Sequence, residues 1–466
     1  MKSQLPVLKK NLLNIIILAA GRGKRMHSDL PKVLHRLAGK PLLEYIVETA
    51  DKLNPQAIHV VYGNGGGQVR HCLSHLAVQW VQQKEILGTG HAVKQAIRQI
   101  KNAASQVLVL LGDTPLVNID TLKELIHNTK PDEIGLITLK TPNPYGLGRI
   151  LRNNSKKVVK IVEEKDATTK QKKIQEVNSG IFFVPVKLLK KWLPKLEKKN
   201  AQGEYYLTDI IEMAVKENVN VISVSSEIEG EMQGINDRVQ LSKVERYYQQ
   251  RQAKALMLKG VTLRDPERFD LRGELISVGK DVVIDINVIV EGKNSIGANS
   301  FIGPNTTLKN VKIGVGVEIK GYCIIEDAII GDNSIIGPFA RIRPGTKLKN
   351  NVHIGNFVEV KNSQIQSETK INHLSYIGDA IIGRNVNIGA GTITCNYDGV
   401  KKHPTTIEDD VFVGSNTALV APIHVGKGAT IGAGSTLNKA VPAEKLTLNR
   451  AEARTLTWKR PKKSQN

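Results

Sequence analysis

The chain has 466 residues, 41% hydrophobic and 24% charged, with 66 Lys and Arg against 44 Asp and Glu for a formal net charge of +22. That length exceeds what one hydrophobic core ordinarily serves, so at least two domains are expected, and no run approaches the roughly 20 apolar residues of a membrane-spanning helix. Three dispersed cysteines, Cys72, Cys323 and Cys395, make neither an even disulfide set nor a CxxC metal pair, which points to a reducing, cytoplasmic setting. The basic excess would suit an anionic partner, but aromatics at 4% and the lack of a recognition-helix or RNA-binding signature make it a solvated surface, with no nucleic-acid or membrane partner expected.

In chain order, Lys9 and Lys10 precede an apolar run, Leu12 to Leu18, that imitates a signal peptide. The run is short and feeds a glycine-rich loop, so it reads as a first buried strand. Candidate strands at Ile15–Ala20, Ala57–Tyr62, Gln106–Leu111 and Ile134–Lys140 alternate with helical stretches such as Pro41–Leu53 and His91–Ile100. This α/β alternation predicts a Rossmann-like, mostly parallel sheet whose ligands sit beyond the carboxyl ends of the strands. Gly21-Arg22-Gly23 stands at such an end. Its glycines let backbone N–H groups approach phosphates, while Arg25 and Lys32 can neutralise a triphosphate. A GxG by itself could be a tight turn; the conjunction with Arg25, Pro31 and Lys32 carries the reading. Asp113, in Leu111-Gly112-Asp113-Thr114-Pro115, could ligand a phosphate-bound Mg²⁺, although a lone Asp at a strand end is more often a cap. Gln83 with Leu87-Gly88-Thr89-Gly90-His91, and the trio Gly148, Glu163 and Asn178, offer polar groups able to read a base and a sugar.

Gly234-Ile235-Asn236-Asp237 closes this region, and Arg238 to Lys259 reads as a long polar connecting helix with Val239, Val244, Tyr247 and Leu256 as its apolar points. From about Val278 to Leu437 an aliphatic residue returns every sixth position, as in Ile284, Val290, Ile296 and Ile302, in Ile330, Ile336 and Ile342, and in Ile407, Val413, Leu419, Val425, Ile431 and Leu437. A period of six fits neither a helix nor simple alternation; it is the signature of a hexapeptide β-helix, three hexads to a triangular coil, with the aliphatic residue inside. The phase slips by one between Leu308 and Ile313, Val360 and Ile365, and Ile377 and Ile382. A larger break, Thr394 to Pro404, separates Ile388 from Ile407. Extra residues must leave a solenoid as loops, and such loops commonly form its binding face. Asn372-His373-Leu374-Ser375-Tyr376, Asn387, Asn396 and Tyr397 lie beside these breaks, although an isolated His in a repeat array is by default structural. A basic tail, Lys459-Arg460-Pro461-Lys462-Lys463, ends the readable pattern.

From about Asn14 to about Arg460 these motifs together resemble the bifunctional UDP-N-acetylglucosamine pyrophosphorylase/glucosamine-1-phosphate N-acetyltransferase family. The resemblance implies a uridylyltransferase domain over residues 1–237, an arm over 238–259, a left-handed β-helix acetyltransferase domain over 260–445 and a tail over 446–466. That left hand runs against the usual right-handed crossover. It further implies that Leu18, Ala20, Gly21, Gln83, Gly88 and Thr89 hold the uridine nucleotide, that Arg25 and Lys32 contact its phosphates, and that Asp113 and Asn236 ligand Mg²⁺. Gly148, Glu163, Asn178 and Thr89 would hold N-acetylglucosamine. In the second domain His373 is implied as general base, its unperturbed pKa of about 6.5 suiting the role, with Glu359 orienting it. Arg343 and Lys361 would bind the phosphate of glucosamine-1-phosphate, Tyr376, Asn387 and Asn396 its sugar, and Ala390, Asn396, Tyr397, Ser415, Ala433 and Arg450 the acetyl-CoA. A homotrimer follows, because in the family these residues come from different subunits. The product, UDP-N-acetylglucosamine, feeds cell-envelope synthesis of peptidoglycan and lipopolysaccharide. Two departures from the family pattern stand out, Lys24 in place of Thr and Leu111 in place of Tyr. The rival expectations are a single-activity sugar nucleotidyltransferase with a structural β-helix, and a non-catalytic repeat scaffold.

Overall fold

The computed structural model describes residues 12–21, 23–63, 66–228, 230–449 and 451–459. The chain divides into two compact units, Met1–Tyr248 and Gln249–Asn466. Strands of the first unit are β1 (Leu13–Ala19), β2 (Arg36–Leu37), β3 (Lys40–Pro41), β4 (Ala57–Tyr62), β5 (Gln79–Gln82), β6 (Gln106–Leu111), β7 (Ile134–Lys140), β8 (Arg149–Arg152), β9 (Val158–Val162), β10 (Glu176–Pro185) and β11 (Val221–Ser226). Its helices are α1 (Leu42–Asp51), α2 (Gly67–Cys72), α3 (Thr89–Ile97), α4 (Ile119–Asn128), α5 (Thr169–Lys172), α6 (Val186–Trp192) and α7 (Asp209–Lys216).

The main sheet runs β11-β7-β10-β6-β1-β4-β5, with β8 and β9 attached beside β10. Strand β1 is parallel to β4 and β6, whereas β10 runs antiparallel to both β6 and β7. The inner strands are apolar on both faces because helices cover both. Ile16, Val107 and Val109 pack with Val93 of α3, Leu189 of α6 and Ile210 of α7, while Ile15, Ile17, Leu108 and Leu110 pack with Ile46 of α1 and Leu122 of α4. One edge of the sheet therefore collects the carboxyl ends of β1, β4, β5 and β6 together with the amino end of the reversed strand β10. The segments after Ala19, Tyr62, Gln82 and Leu111, and Asn178 itself, meet there.

Helix α8 (Arg238–Met257) contains the boundary between the units. Of its expected apolar points Val244 and Leu256 are buried, but Val239 is 66% exposed.

The second unit is a parallel β-helix. Each short strand pairs in parallel with the strand one coil on, as Ile302 with Ile319 and Ile319 with Ile336. The hexad residues, including Ile284, Val290, Ile330, Ile371, Ile407 and Leu437, all face one continuous buried core, and each fully buried Ile is worth about 1.5–3 kcal/mol. The one-residue slips extrude nothing, contrary to expectation. They fall at one recurring corner of the prism, which closes over five or six residues, and a fourth lies between Ile325 and Ile330. Asn310, Asp327, Asn362 and Asp379 turn this corner with positive φ, which short polar side chains tolerate. They stack coil on coil, Asn310 Nδ2 donating to Asp327 Oδ1 at 2.9 Å and Asn362 Nδ2 to Asp379 Oδ1 at 2.6 Å.

The larger break does extrude a loop, but a smaller one than expected. Ile393–Cys395 is still a rung, with Thr394 in the inward place and its hydroxyl accepting from Gly378 N at 2.8 Å. Residues 396–404 then leave the coil, and Thr405–Ile407 resumes it. A second corner carries a ladder of large residues at positive φ, Tyr322, Phe339, Phe357 and Leu374, the three rings stacked with centroids 4.9 and 5.2 Å apart. Below Leu374 the same corner is turned by Gly391, Asn416 and Gly434.

Candidate active sites

At the carboxyl edge of the first sheet, the amino group of Lys32 lies against Asp113 Oδ2 and 3.1 Å from Asn236 Oδ1. Asn236 reaches this place because Ile235 N donates to Asp113 O at 2.9 Å, laying the end of the unit beside the turn after β6. Two oxygen donors thus converge on one cation. A carboxylate and an amide oxygen are the hard donors Mg²⁺ takes when phosphates complete its shell, so the pair fits that ion. Among the described residues no group of three or more His, Cys, Asp or Glu side chains could hold a metal alone. Gly23 allows the close approach of Lys32: its φ is +58°, and a Cβ there would come 2.7 Å from Lys32 Cβ. Lys24 and Arg25 ride on the exposed 3-10 turn Lys24–Met26.

Leu18 is the penultimate residue of β1, Ala20 and Gly21 follow the strand's end, and Gly112 N donates to Leu18 O at 2.9 Å across the sheet. Gln83 is buried, with Nε2 3.3 Å from Gly88 O and 3.0 Å from His91 Nδ1. Thr89 opens α3, and its hydroxyl accepts from Leu207 N at 3.1 Å. The trio also comes together. Asn178 N donates to Gly148 O at 2.8 Å, and a Cβ on Gly148 would stand 3.4 Å from Glu163 Oε2. Burial pushes the Glu163 carboxyl above its usual range despite the Thr208 hydroxyl donating to it at 3.1 Å. Leu111 fills space against Gly180, whose φ is +82° and where a Cβ would fall 2.6 Å from Leu111 Cδ1. Gly180 lies in the irregular stretch of β10 between Asn178 and Phe182, so Leu111 buttresses the bulge that presents Asn178.

In the second unit, His373 ends the strand Lys370–His373 and pairs in register with Asn356 one coil earlier. Its Nδ1 lies 2.8 Å from Asn356 Oδ1. With the Asn356 amide presenting its oxygen, which only accepts, Nδ1 carries the proton and Nε2 keeps the lone pair. The side chain in contact with the imidazole is thus Asn356, whereas Glu359, the residue expected to orient it, bonds elsewhere. Glu359 lies beyond the corner at Phe357, pairs in register with Tyr376, and accepts from Arg343 Nη1 at 2.7 Å.

Along the chain offsets of this face, His373 stands over Ala390, then Ser415, then Ala433. These small side chains, beside the Gly391, Asn416 and Gly434 corner, form a column starting where the aromatic ladder stops. With coils about 4.8 Å apart, the column from His373 to Ala433 spans about 14 Å. Asn387 sits on the same face, opposite Lys370. Arg450 lies outside the described residues.

Across the corner, Arg343, Lys361 and Tyr376 share the adjacent face. Asn396 is buried and donates to Asp379 Oδ2 at 2.5 Å, with Tyr376 Oη close by above Gly378. Tyr397 is exposed on the extruded loop, its hydroxyl bonded to Gly399 O at 2.6 Å. Sequence reading missed Lys402 and Asp379. Lys402 lies near enough to Lys361 that its ammonium is held below the usual lysine range. Burial pushes Asp379 up, but the amides of Asn362 and Asn396 with Lys361 and Lys402 hold it below the carboxylate norm. Asp379, Asn362, Lys402 and His403 line a cavity of about 300 Å³ beneath the loop. The signal that could have found Lys402 is the loop's sharp reversal at Asp398-Gly399, which returns Lys402 to pair with Tyr397.

Residues 15–217 match the MobA-like NTP transferase domain, residues 327–362 the bacterial transferase hexapeptide (six repeats), and residues 404–439 the hexapeptide repeat of succinyl-transferase. The fold is thus a nucleotidyltransferase unit followed by a left-handed parallel β-helix. The chain is 53% identical over 450 residues to the bifunctional protein GlmU of Methylococcus capsulatus, covering 96% of this chain and 97% of that one. It is 52% identical to the bifunctional protein GlmU of Marinobacter nauticus (97% and 99% covered) and 54% identical to that of Legionella pneumophila (97% and 99% covered). With end-to-end similarity at that level over both units, the chain belongs to the bifunctional GlmU family.

Proposed function

We propose that the protein is a bifunctional transferase which acetylates glucosamine-1-phosphate with acetyl-CoA and then transfers UMP from UTP to the resulting N-acetylglucosamine-1-phosphate. It releases coenzyme A, pyrophosphate and UDP-N-acetylglucosamine for cell-envelope synthesis. The observation carrying this reading is that one chain holds both a cation-binding oxygen pair at a nucleotidyltransferase sheet edge and a histidine at the head of a column of small residues. A single-activity enzyme with a structural β-helix leaves that second arrangement unused.

At the acetyl site, His373 Nε2 takes the proton from the 2-amino group as its nitrogen attacks the thioester carbonyl and the coenzyme A thiolate leaves. Asn356 keeps the imidazole in the competent tautomer. Arg343, Lys361 and Lys402 hold the sugar phosphate, Tyr376, Asn387 and Asn396 the sugar, and the column Ala390, Ser415, Ala433 the coenzyme arm, with Tyr397 and Arg450 at its borders. Glu359 steadies Arg343. The 2-amino nitrogen is a neutral nucleophile, so a protein base is required.

At the nucleotidyl site, a phosphate oxygen of N-acetylglucosamine-1-phosphate attacks the α-phosphorus of UTP and pyrophosphate departs. The attacking oxygen is already anionic, so positioning and charge neutralisation suffice. Leu18, Ala20, Gly21, Gln83, Gly88 and Thr89 hold the nucleotide, Arg25 and Lys32 its phosphates, and Gly148, Glu163 and Asn178 the sugar. Asp113 and Asn236 would hold Mg²⁺, which when bound supplies further neutralisation of the polyphosphate.

The working assignment of regions is 1–237 for uridylyl transfer, 238–259 as arm, 260–445 for acetyl transfer and 446–466 as tail, in a cytoplasmic homotrimer. The exposed ladder Tyr322, Phe339, Phe357 and Leu374 supports side-by-side assembly, since a contiguous row of exposed large apolar side chains is the kind of patch that marks an interface. One assay tests the function: with glucosamine-1-phosphate, acetyl-CoA, UTP and Mg²⁺, thiol and pyrophosphate are followed separately. Release of only one product refutes the bifunctional reading, and a sedimenting monomer with full acetyl transfer refutes the trimer.

A further inference from the structure

We propose that His91 is a positioning residue for base selection: its Nδ1 takes one amide proton of Gln83, so that this glutamine offers a pyrimidine only its carbonyl oxygen. The inference rests on the nucleotidyl-transfer reading above. Gln83 is 1% exposed, and just beyond β5 its backbone N donates at 2.8 Å to the carbonyl of Tyr62, the last residue of β4. Its Nε2 lies 3.3 Å from Gly88 O and 3.0 Å from His91 Nδ1. Gly88 O can only accept, and turning the amide round would set two carbonyl oxygens 3.3 Å apart. Both protons of Nε2 are therefore committed, and Nδ1 must be an acceptor, which places the imidazole proton on Nε2.

That Nε2–H faces Gln95, whose terminal nitrogen stands 2.8 Å away. Two donors cannot face one another, so the Gln95 amide turns to present its oxygen, which shape alone permits. The exposed Arg98, which donates to that oxygen at 3.2 Å, then swings away from the Gln95 amide nitrogen. The ring is anchored. It stacks on Tyr205 with centroids 6.2 Å apart, and Tyr205 is tied by backbone bonds to Leu87 and Gly90, each at 2.8 Å. Burial pushes the imidazole below its usual range, Lys94 and Lys198 adding to the effect and the Glu85 carbonyl and carboxylate opposing it.

The consequence is a polarity filter. Uracil presents N3–H, which the Gln83 oxygen can accept, whereas cytosine presents a bare N3 lone pair and would set acceptor against acceptor. A site built to hydrogen-bond one ligand rejects an analogue that leaves its buried group unpaired. Nothing in this needs His91 to touch the nucleotide.

The test measures kcat/KM for UTP and for CTP, with N-acetylglucosamine-1-phosphate and Mg²⁺, in the full-length enzyme and in His91→Leu and His91→Asn. Melting temperature and acetyl transfer are measured on the same preparations. Asn can offer its Oδ1 where Nδ1 stood. His91→Leu should lower the UTP-over-CTP preference by about 10-fold or more, mainly through KM, and His91→Asn should restore most of it with acetyl transfer unchanged in both. A wild-type preference in His91→Leu overturns the proposal, as does equal loss in both variants, which would make the role one of packing. A wild-type enzyme that does not use UTP overturns the underlying reading and this proposal with it, and the wild-type rates alone tell that case apart.

Discussion

The two units build their sites in opposite ways. Lys32 finds Asp113 and Asn236 across 81 and 204 residues of chain, by way of a sheet that gathers loop ends at one edge. His373 finds Asn356 across 17 residues, one coil of a repeat. A site of the first kind depends on the topology of the whole unit, and its residues sit in a concavity the fold provides. A site of the second kind depends on register alone and lies on a convex surface. Depth must then come from the extruded loop 396–404 or from a neighbouring copy.

Four perturbations would break or sharpen this contrast. The largest expected effect is at His373→Ala, which should slow acetyl transfer by about 10²–10⁴-fold while uridylyl transfer and melting temperature hold. A histidine serving only the solenoid would instead lower the melting temperature and spare the rate. Next, Asp113→Ala should cost uridylyl transfer about 10²–10³-fold, with thiol release from acetyl-CoA unaffected; parallel loss of both products would contradict independent sites. Third, Ile371→Ala, inside the prism two residues from His373, should destabilise the second unit by about 2–5 kcal/mol. Denaturant unfolding should show the first unit's transition in place. The smallest effect is at Asn356→Ala, about 10-fold or less in acetyl transfer, with an altered pH profile because the tautomer is no longer held. An unchanged profile would return the orienting role to Glu359.

Much of this was legible in the chain, and the failures have physical causes. Strand β6 ends at Leu111 as its apolar run implied, and the hexad residues Ile284 to Leu437 point inward as a period of six demands. The slip between Ile325 and Ile330 went unread because the doublets Ile324-Ile325 and Ile329-Ile330 leave the phase ambiguous. Asn356 was overlooked because the orienting role was carried to Glu359 by the family resemblance, and the corner turned by Phe357, a residue that gives no turn signal, puts Glu359 on another face. Lys402 comes to Asp379 only through the folding back of the loop, which no period describes. Lys32 was read as a phosphate ligand from its place after the glycines; its hold on Asp113 and Asn236 depends on strand order, which spacing does not encode.

The backbone ladder of the β-helix also has a mechanical meaning. Its hydrogen bonds run along the prism axis, linking Ile302 to Ile319 and Ile319 to Ile336, while the covalent chain circles that axis. Tension applied lengthwise therefore meets one rung at a time, and the coils should peel away singly from a free end, each release lengthening the tether by a similar step. Force applied across the axis must shear many rungs at once. The same object is weak when stretched and stiff when squeezed, and a single-molecule pull along the axis should give a regular sawtooth broken by one longer step at the coil that carries residues 396–404.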